Sequence, residues 1–586
     1  MNLMSCCKLS FALFLVCGNL SAAINASLVA ESSSSPVGTS VHWTASSDAA
    51  NSAEYRWIVT KPSGTTSIVT DFDPASGFNY MPLMEGSFTI TVAVKDSVTS
   101  DQGSASVTFS ATSLQTIPSA PMVSATSNSL IALYSTTCTS GNLRVYFAPQ
   151  GINPMISGMA TSPQQCLAGH SLATIVAGMK PNTQYTLQQQ VSNGFNLQNG
   201  PLFSFTTGPA SAAFPVPSVQ GSSTAPEKFL LFSLLGLHGT QGMAAWDLAG
   251  NMVWYSTAVT PGSGVPVTLF RSMPGGTMLV STNPTNRLQE LDLLGNVVRQ
   301  TSIARLAQQL DASYPQLRDV NHDAIRLPNG NTAILVGVQQ LYTNGTQGSS
   351  PSAPLNIVGD GIVILDRNWQ VVWSWNPYVK YDSSRAPIAP APCRGAGCID
   401  WMHANSLLYT MDNNFVMSMR HQDMLIKIDY ANGMGTGNVL WRLGYGGDFT
   451  ITNPDVYNFP WFSGQHSPTF AGNYLTLFDN GITRLTPGVS IDFNSPACCS
   501  RGQAWTVNES AKTVTLLTNA DMGTFSDILG TSQQLLNGNL HFLSGFANGG
   551  YLGEVKEFTP AGVPVYTFDI ANSSYRGFRI RDMYTP

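Results

Sequence analysis

Charge is scarce in this chain: Asp, Glu, Lys and Arg make up 10 % of 586 residues, with a net charge of −6. No segment gathers basic residues, so the electrostatic footprint of a nucleic-acid binder is missing. With 43 % hydrophobic residues, the same scarcity excludes a disordered chain, which needs the opposite balance. Beyond the N-terminus no stretch reaches the roughly 20 apolar residues of a membrane helix, so no membrane span is expected. No Gly-x-x-x-x-Gly-Lys loop is present to cradle a nucleotide, which argues against a nucleotide-bound group donor. Sustained helical periodicity is missing too. Turn formers are plentiful instead, with 52 Gly and 35 Pro. Many short strands joined by tight turns are expected, in two to four domains.

Residues 1–23 read as an export signal. Lys8 is the only charge before the apolar run Phe11–Cys17, and Ser21, Ala22 and Ala23 offer a small-residue cleavage site. Val16 is bulkier than a lipoprotein peptidase accepts before Cys17, so a lipid anchor is disfavoured. The expected location is exported, periplasmic or secreted. Six cysteines follow the signal: Cys138, Cys166, Cys393, Cys398, Cys498 and Cys499. In an oxidising compartment they are free to pair. Cys138 with Cys166, and Cys393 with Cys398, would close local loops. Cys498 and Cys499 are adjacent, a strained geometry for a bond between them, and their pairing stays open.

Residues 27–112 alternate apolar and polar in short runs such as Tyr55–Val59 and Phe88–Val94, which reads as an immunoglobulin-like sandwich. Residues 117–208 repeat the theme. There Met179-Lys-Pro-Asn-Thr-Gln-Tyr185 resembles the turn-plus-tyrosine signature of fibronectin type III domains. Neither module clusters titratable residues, so both read as spacer or scaffold. From 212 to 586 a unit recurs: Trp246-Asp-Leu-Ala-Gly250-Asn251, Leu291-Asp-Leu-Leu-Gly295-Asn296, Leu365-Asp-Arg-Asn-Trp-Gln370, Ile428-Asp-Tyr-Ala-Asn-Gly433, and weaker copies at Trp505–Asn508 and Phe558–Gly562. A second turn, such as Leu327-Pro-Asn-Gly-Asn331, falls between copies. Two hairpin turns per unit mean about four strands, so six units predict an all-β chain ending in a six-bladed β-propeller.

Three histidines precede that second turn in consecutive units: His322, His403 and His466. Corresponding positions of neighbouring blades ring the axis, so their imidazoles are expected to converge on the channel. Arg420, ending the run Phe415–Met419, is expected on the same rim, with His421 on the opposite face by strand alternation. His42, His170 and His541 suggest no partners. A guanidinium fork suits a tetrahedral oxyanion. An imidazole can attack as a nucleophile, and others can move protons.

At these residues the chain resembles the bacterial arylsulfate sulfotransferase family, the kind independent of the nucleotide donor PAPS. The matching strings are Asn321-His-Asp-Ala-Ile325, Asp400-Trp-Met-His-Ala-Asn-Ser406, Ser418-Met-Arg-His-Gln422, Gly464-Gln-His-Ser467, Phe478-Asp-Asn-Gly481, Cys499-Ser-Arg501 and Tyr575-Arg576. The resemblance implies a six-bladed propeller and a ping-pong reaction without a cofactor, in which a phenolic sulfate ester gives its sulfuryl group to a histidine and an acceptor phenol collects it. By motif the sulfated residue is His466. His322, His403 and Arg420 map to the groups that bind the sulfuryl oxygens and assist the leaving group, and Asn405 and Arg501 to further substrate contacts. Better-known members carry a different, smaller N-terminal β-domain that helps dimerisation, so a homodimer is an open expectation here.

Two other readings stand beside this one. Three histidines with Asp323 or Asp479 could hold zinc in a metal-dependent hydrolase, although Arg420 opposes a dication by like charge. A secreted, non-catalytic binding protein is the other.

Overall fold

A computed structural model describes residues 23–585 apart from 100, 115–119, 257–266, 283–285, 389–392, 394–396, 454–460 and 484–498. The expected signal up to residue 22, and Cys498, lie outside the described residues. Strands dominate, and the longest helix among the described residues is Ile303–Gln309. The all-β class is therefore observed.

The N-terminal part holds two sandwiches of short sheets. In the first, Ala26–Ala30, Val41–Ser47 and Gly77–Tyr80 face a sheet containing Gln102–Thr112, Gly86–Asp96, Ala53–Thr60 and Thr66–Asp73. Strict alternation buries Val41, Trp43 and Ala45 on one strand and Phe88, Ile90, Val92 and Val94 on another, the period of two that fills a sandwich core. In the second, Cys138 and Cys166 form a disulfide with Cα atoms 5.5 Å apart. The Tyr185 hydroxyl accepts from the Lys180 amide at 2.8 Å, which pins the turn before its strand. His170 answers to a partner after all: its Nδ1 lies 2.8 Å from the Glu85 carbonyl of the first sandwich.

The first sandwich is more than a spacer. Its strand Thr66–Asp73 pairs in parallel with Val297–Ser302 through Thr70 and Gln300, making one nine-stranded sheet. Asp71, buried, takes Arg56 at 2.8 Å and Arg305 at 2.9 Å, and Asp73 takes Arg287 at 2.6 Å. Side-chain charges were too sparse in sequence to suggest this junction; it uses two arginines from a distant segment, Arg287 and Arg305, while Arg56 belongs to the sandwich itself.

Among the described residues, the rest of the chain contains six sets of four antiparallel strands, two standing as four-stranded sheets, three carrying a fifth strand and one running on into the nine-stranded sheet. Their innermost strands are β1 (Val267–Met273), β2 (Gln316–Arg326), β3 (Ala404–Tyr409), β4 (His466–Ala471), β5 (Thr531–Gln534) and β6 (Ser574–Ile580). Each contacts the next, and β6 contacts β1. Strand β6 also hydrogen-bonds to Phe229–Leu235, so residues 574–580 complete a sheet begun near residue 229. The recurring sequence unit is a side-chain-capped turn. Asp247 Oδ1 accepts from the amides of Ala249 and Asn251 at 3.0 and 2.8 Å, and Asp292 Oδ1 from Leu294 and Asn296, both at 2.9 Å. Gly250 and Gly295 supply the left-handed residue at φ +85°. Trp369 takes that place at φ +60° in the copy beginning at Asp366.

Candidate active site

Three innermost strands kink where the histidines stand. The β2, β3 and β4 registers shift at Val320/Ala324, Ala404/Ser406 and His466/Thr469. A left-handed residue sits in or just before each kink: His322 at φ +49° and Ser467 at +48° within theirs, and His403 at +48° immediately ahead of Ala404. Such non-glycine conformations cost about 1 kcal/mol or more and gather at functional sites. The equal phase expected for the three histidines therefore needs correcting. His466 comes one residue before the kinked position that His322 and His403 occupy, so its side chain leaves the strand from a different backbone geometry.

His322 and His403 meet with ring centroids 4.7 Å apart, and His403 and His421 are also 4.7 Å apart. His421 is thus part of the cluster, against the expectation that it points away. Strand alternation fails because Arg420–Gln422 is a 3₁₀ turn rather than strand, and side chains there follow a three-residue period.

The hydrogen bonds fix each ring's protonation pattern. Tyr575 Oη lies 2.9 Å from the carbonyl of His322 and 2.6 Å from its Nδ1. The carbonyl can only accept, so the phenol's single proton goes there and Nδ1–H donates to the phenol oxygen. Burial, followed by the charges of His403 and Arg576, holds His322 well below the usual imidazole range, which leaves Nε2 with a lone pair. His403 Nδ1 donates to Asp400 Oδ2 at 2.6 Å. Burial pushes the Asp400 carboxyl up, but the hydrogen bond and charge of His403 win and hold it below its ordinary value. His421 Nδ1 donates to the Asp400 carbonyl at 2.7 Å, and its Nε2 accepts from Arg420 Nη1 at 2.8 Å. Burial and the neighbouring His403 lower it to about 4.

Arg420 Nη2 donates to the Asp527 carbonyl at 3.1 Å, while its buried Nε has no hydrogen-bond partner among the described residues. A guanidinium with a donor to spare can take an anion. His466 is buried, at 4 % exposure. Its Nδ1 faces Asn480 Oδ1 at 2.6 Å and the Gly464 carbonyl at 3.1 Å. Burial, then the charge of Arg420, keeps the ring well below its ordinary value. It is a neutral imidazole with Nδ1 protonated and Nε2 bare.

Asn405 is fully buried, donating Nδ2 to the Gln465 carbonyl at 2.6 Å, and its Oδ1 has no hydrogen-bond partner among the described residues. Arg501 opens the strand Arg501–Asn508, two strands out from β4 and opposite Asp479. It is not on an innermost strand. Arg576, 1 % exposed, donates to Ser467 Oγ at 2.5 Å and to the Asn405 carbonyl at 2.6 Å, tying β6 to β3 and β4. Sequence reasoning gave no role to Asp400, His421, Asn480, Tyr575 or Arg576, although each stands inside a string that carried the family resemblance.

Among the described residues, Asp400, His403 and His421 bring ligand-type atoms within 4.8 Å. Both nitrogens of His421 are already engaged, one by a guanidinium, so a dication there would meet a fixed positive charge. Asp323, one of the two carboxylates considered for zinc, pairs with Arg271 at 2.8 Å. Cys393 and Cys398 form a disulfide with Cα atoms 5.7 Å apart, shortly before His403.

The neutral rings carry a pH consequence. An unfolded histidine titrates near 6.5, whereas folded His322, His421 and His466 stay unprotonated there. Below pH 6.5 the unfolded chain takes up protons that the folded chain refuses, so their contribution is full above 6.5 and is lost as pH falls towards the folded values. The thermal midpoint is expected to be flat above pH 7 and to fall steadily between pH 6.5 and 4. A midpoint unchanged across that interval would show that the rings are not held neutral.

A family model described as Arylsulfotransferase (ASST) matches residues 191–576. No curated protein matches significantly. Among solved structures, a two fibronectin type-III domain segment from chicken tenascin is similar at 15 % identity, covering 31 % of this chain and 98 % of that one, with a TM-score of 0.13.

Proposed function

The chain belongs to the arylsulfotransferase family, and from that premise we propose that it moves a sulfuryl group from a phenolic sulfate ester to an acceptor phenol through a sulfated His466. The observation that carries this is the state of that ring: neutral, buried, and bare at Nε2 beside Arg420. In the first half-reaction Nε2 attacks sulfur and the S–O bond to the aryl oxygen breaks, releasing phenoxide. His403, backed by Asp400, supplies the proton that makes it phenol. In the second half, an acceptor phenol gives its proton to His403 or His322, its oxygen attacks sulfur, and the N–S bond breaks. Arg420 takes the sulfuryl oxygens, and Asn405 and Arg501 serve as further substrate contacts.

The cyclic contacts of β1 to β6 support a six-bladed propeller over residues 212–586, with an immunoglobulin-like module at 27–112 and a fibronectin type III-like module at 117–208. Cleavage of the signal at 1–23 and export accompany this reading, in keeping with the two disulfides.

Exposing the protein to 4-nitrophenyl sulfate without acceptor and mapping its peptides by mass spectrometry tests the proposal. An added SO₃ is expected on the peptide holding His466 and not in His466→Asn. A label on Ser467 or Tyr474 instead would sink it. For Arg420→Ala, a fall in kcat of about 10²–10³-fold is expected, the scale for losing one donor to developing charge. Unchanged turnover would remove Arg420 from the reaction.

A further inference from the structure

Behind His466 lies a buried assembly that the sulfuryl chemistry does not itself touch. Asn480 is fully buried. Its Nδ2 donates to two backbone carbonyls, Ser526 at 2.7 Å and Leu529 at 2.8 Å. Only the amide's NH₂ end can face two carbonyls, so its Oδ1 is forced towards His466, where it meets Nδ1 at 2.6 Å. Two acceptors, Asn480 Oδ1 and the Gly464 carbonyl, then confront Nδ1, and the ring proton must reside there.

The segment that orients Asn480 is itself held from several sides. The Asp527 carbonyl accepts from Arg420 and the Gly530 carbonyl from Arg576 at 3.3 Å. Ser526 Oγ donates to the Ile528 carbonyl at 2.7 Å, and Ser500 Oγ donates to the Asn480 carbonyl at 3.0 Å. Leu529 sits at φ +66°, a strained conformation for a branched side chain. Gly530 follows at φ +144°, and a Cβ there would come within 2.4 Å of the Phe478 ring. Backbone oxygens of four residues, 526, 527, 529 and 530, thus hold Asn480, Arg420 and Arg576 in one frame.

We propose that Asn480 is a positioning residue that locks His466 in its Nδ1–H tautomer and aligns it with Arg420 through the shared 526–530 segment. This rests on the reading of His466 as the sulfuryl acceptor. An imidazole in the other tautomer would present N–H, rather than a lone pair, to sulfur. Asn480 touches neither sulfur nor phenol; it acts through the ring.

Two variants and two readouts test this. In protein labelled with ¹⁵N-histidine, the His466 signals, identified by their loss in His466→Asn, are expected to show a protonated Nδ1 and a bare Nε2. In Asn480→Ala that pattern should be lost, and the first half-reaction, followed as a nitrophenol burst, should slow by about 10²–10⁴-fold, the scale seen when an orienting partner is removed from a catalytic histidine. Asn480→Asp keeps an acceptor for Nδ1–H but abandons both carbonyls. It should retain the tautomer and move the acidic limb of the burst rate to higher pH, since a carboxylate favours the protonated ring. An asparagine that did not face the ring would not move that limb. Wild-type tautomer and burst in Asn480→Ala would overturn the proposal. Should that variant fail to fold, an unshifted limb in Asn480→Asp would overturn it equally. The ring signals need no substrate. A tautomer that depends on Asn480 in a protein that never carries sulfate on His466 would therefore reject the nucleophile and leave the positioning role standing.

Discussion

Alanine in place of His466 is expected to lower sulfuryl transfer on the order of 10⁴- to 10⁶-fold, the range for deleting a covalent nucleophile. The donor should still bind, because Arg420, His403 and His322 do not depend on the ring for their places. KM should then stay near its wild-type value while kcat collapses. The alanine also leaves Asn480 Oδ1, now facing His466 at 2.6 Å, as a buried acceptor without a donor, which costs about 1–3 kcal/mol. His466→Asn controls for that loss, since its amide can donate to Asn480 but is a poor nucleophile. Equal inactivity in both variants, with a melting midpoint restored only in the asparagine one, separates chemistry from packing. Substantial turnover in either variant would transfer the nucleophile's role elsewhere.

The second large effect concerns stability. Glu557 and Arg579 form an ion pair at 2.9 Å with both side chains fully buried. Arg579 belongs to β6. It also donates to the Glu227 carbonyl at 2.8 and 3.1 Å and to Ser223 Oγ at 3.0 Å, reaching the segment just before the strand Phe229–Leu235. Glu557 further accepts from Asn539 at 2.6 Å. Removing one partner of a buried pair strands the other charge, so Glu557→Ala is expected to cost about 3–5 kcal/mol. Because a chain of several packed sheets need not unfold in one step, the measurement is the earliest thermal transition, which should move down by several degrees. His466→Asn should not share that shift. Glu557→Gln, which keeps a carbonyl for Arg579, is expected to fall between. A midpoint within a degree of wild type for the alanine would mean that water reaches the pair.

The strands were legible in the sequence because their signals are local. Alternation wrote out the sandwich strands, and the Asp-x-x-Gly-Asn turns marked the repeating units, since one aspartate oxygen caps two amides within five residues. That His322 and His403 come together was legible for a similar reason, since both stand at corresponding places in neighbouring repeats. What stayed hidden depends on geometry that a repeat does not encode. His421 enters the cluster because the chain leaves β-structure at Arg420. The one-residue offset of His466 comes from a kink whose left-handed residue is a histidine in two strands and a serine in the third. Asn480 and Tyr575 act across 14 and 253 residues of sequence respectively, and only the folded chain brings them to their rings. The docking of the first sandwich through Asp71 and Asp73 was invisible for the same reason.

Strand β6 carries Tyr575 and Arg576 and pairs with the strand that opens this region near residue 229. The candidate site therefore depends on a strand that pairs with one made more than 300 residues earlier in the chain. A nascent chain holds His322, His403 and His466 long before it holds the phenol that orients the first of them or the guanidinium that ties β3 to β4. The candidate site is complete only once β6 pairs with that earlier strand. A chain cut short before Ser574 is expected to keep His322, His403 and His466 but to lose the Tyr575 and Arg576 contacts, and assay of the truncated protein beside wild type checks whether activity goes with them.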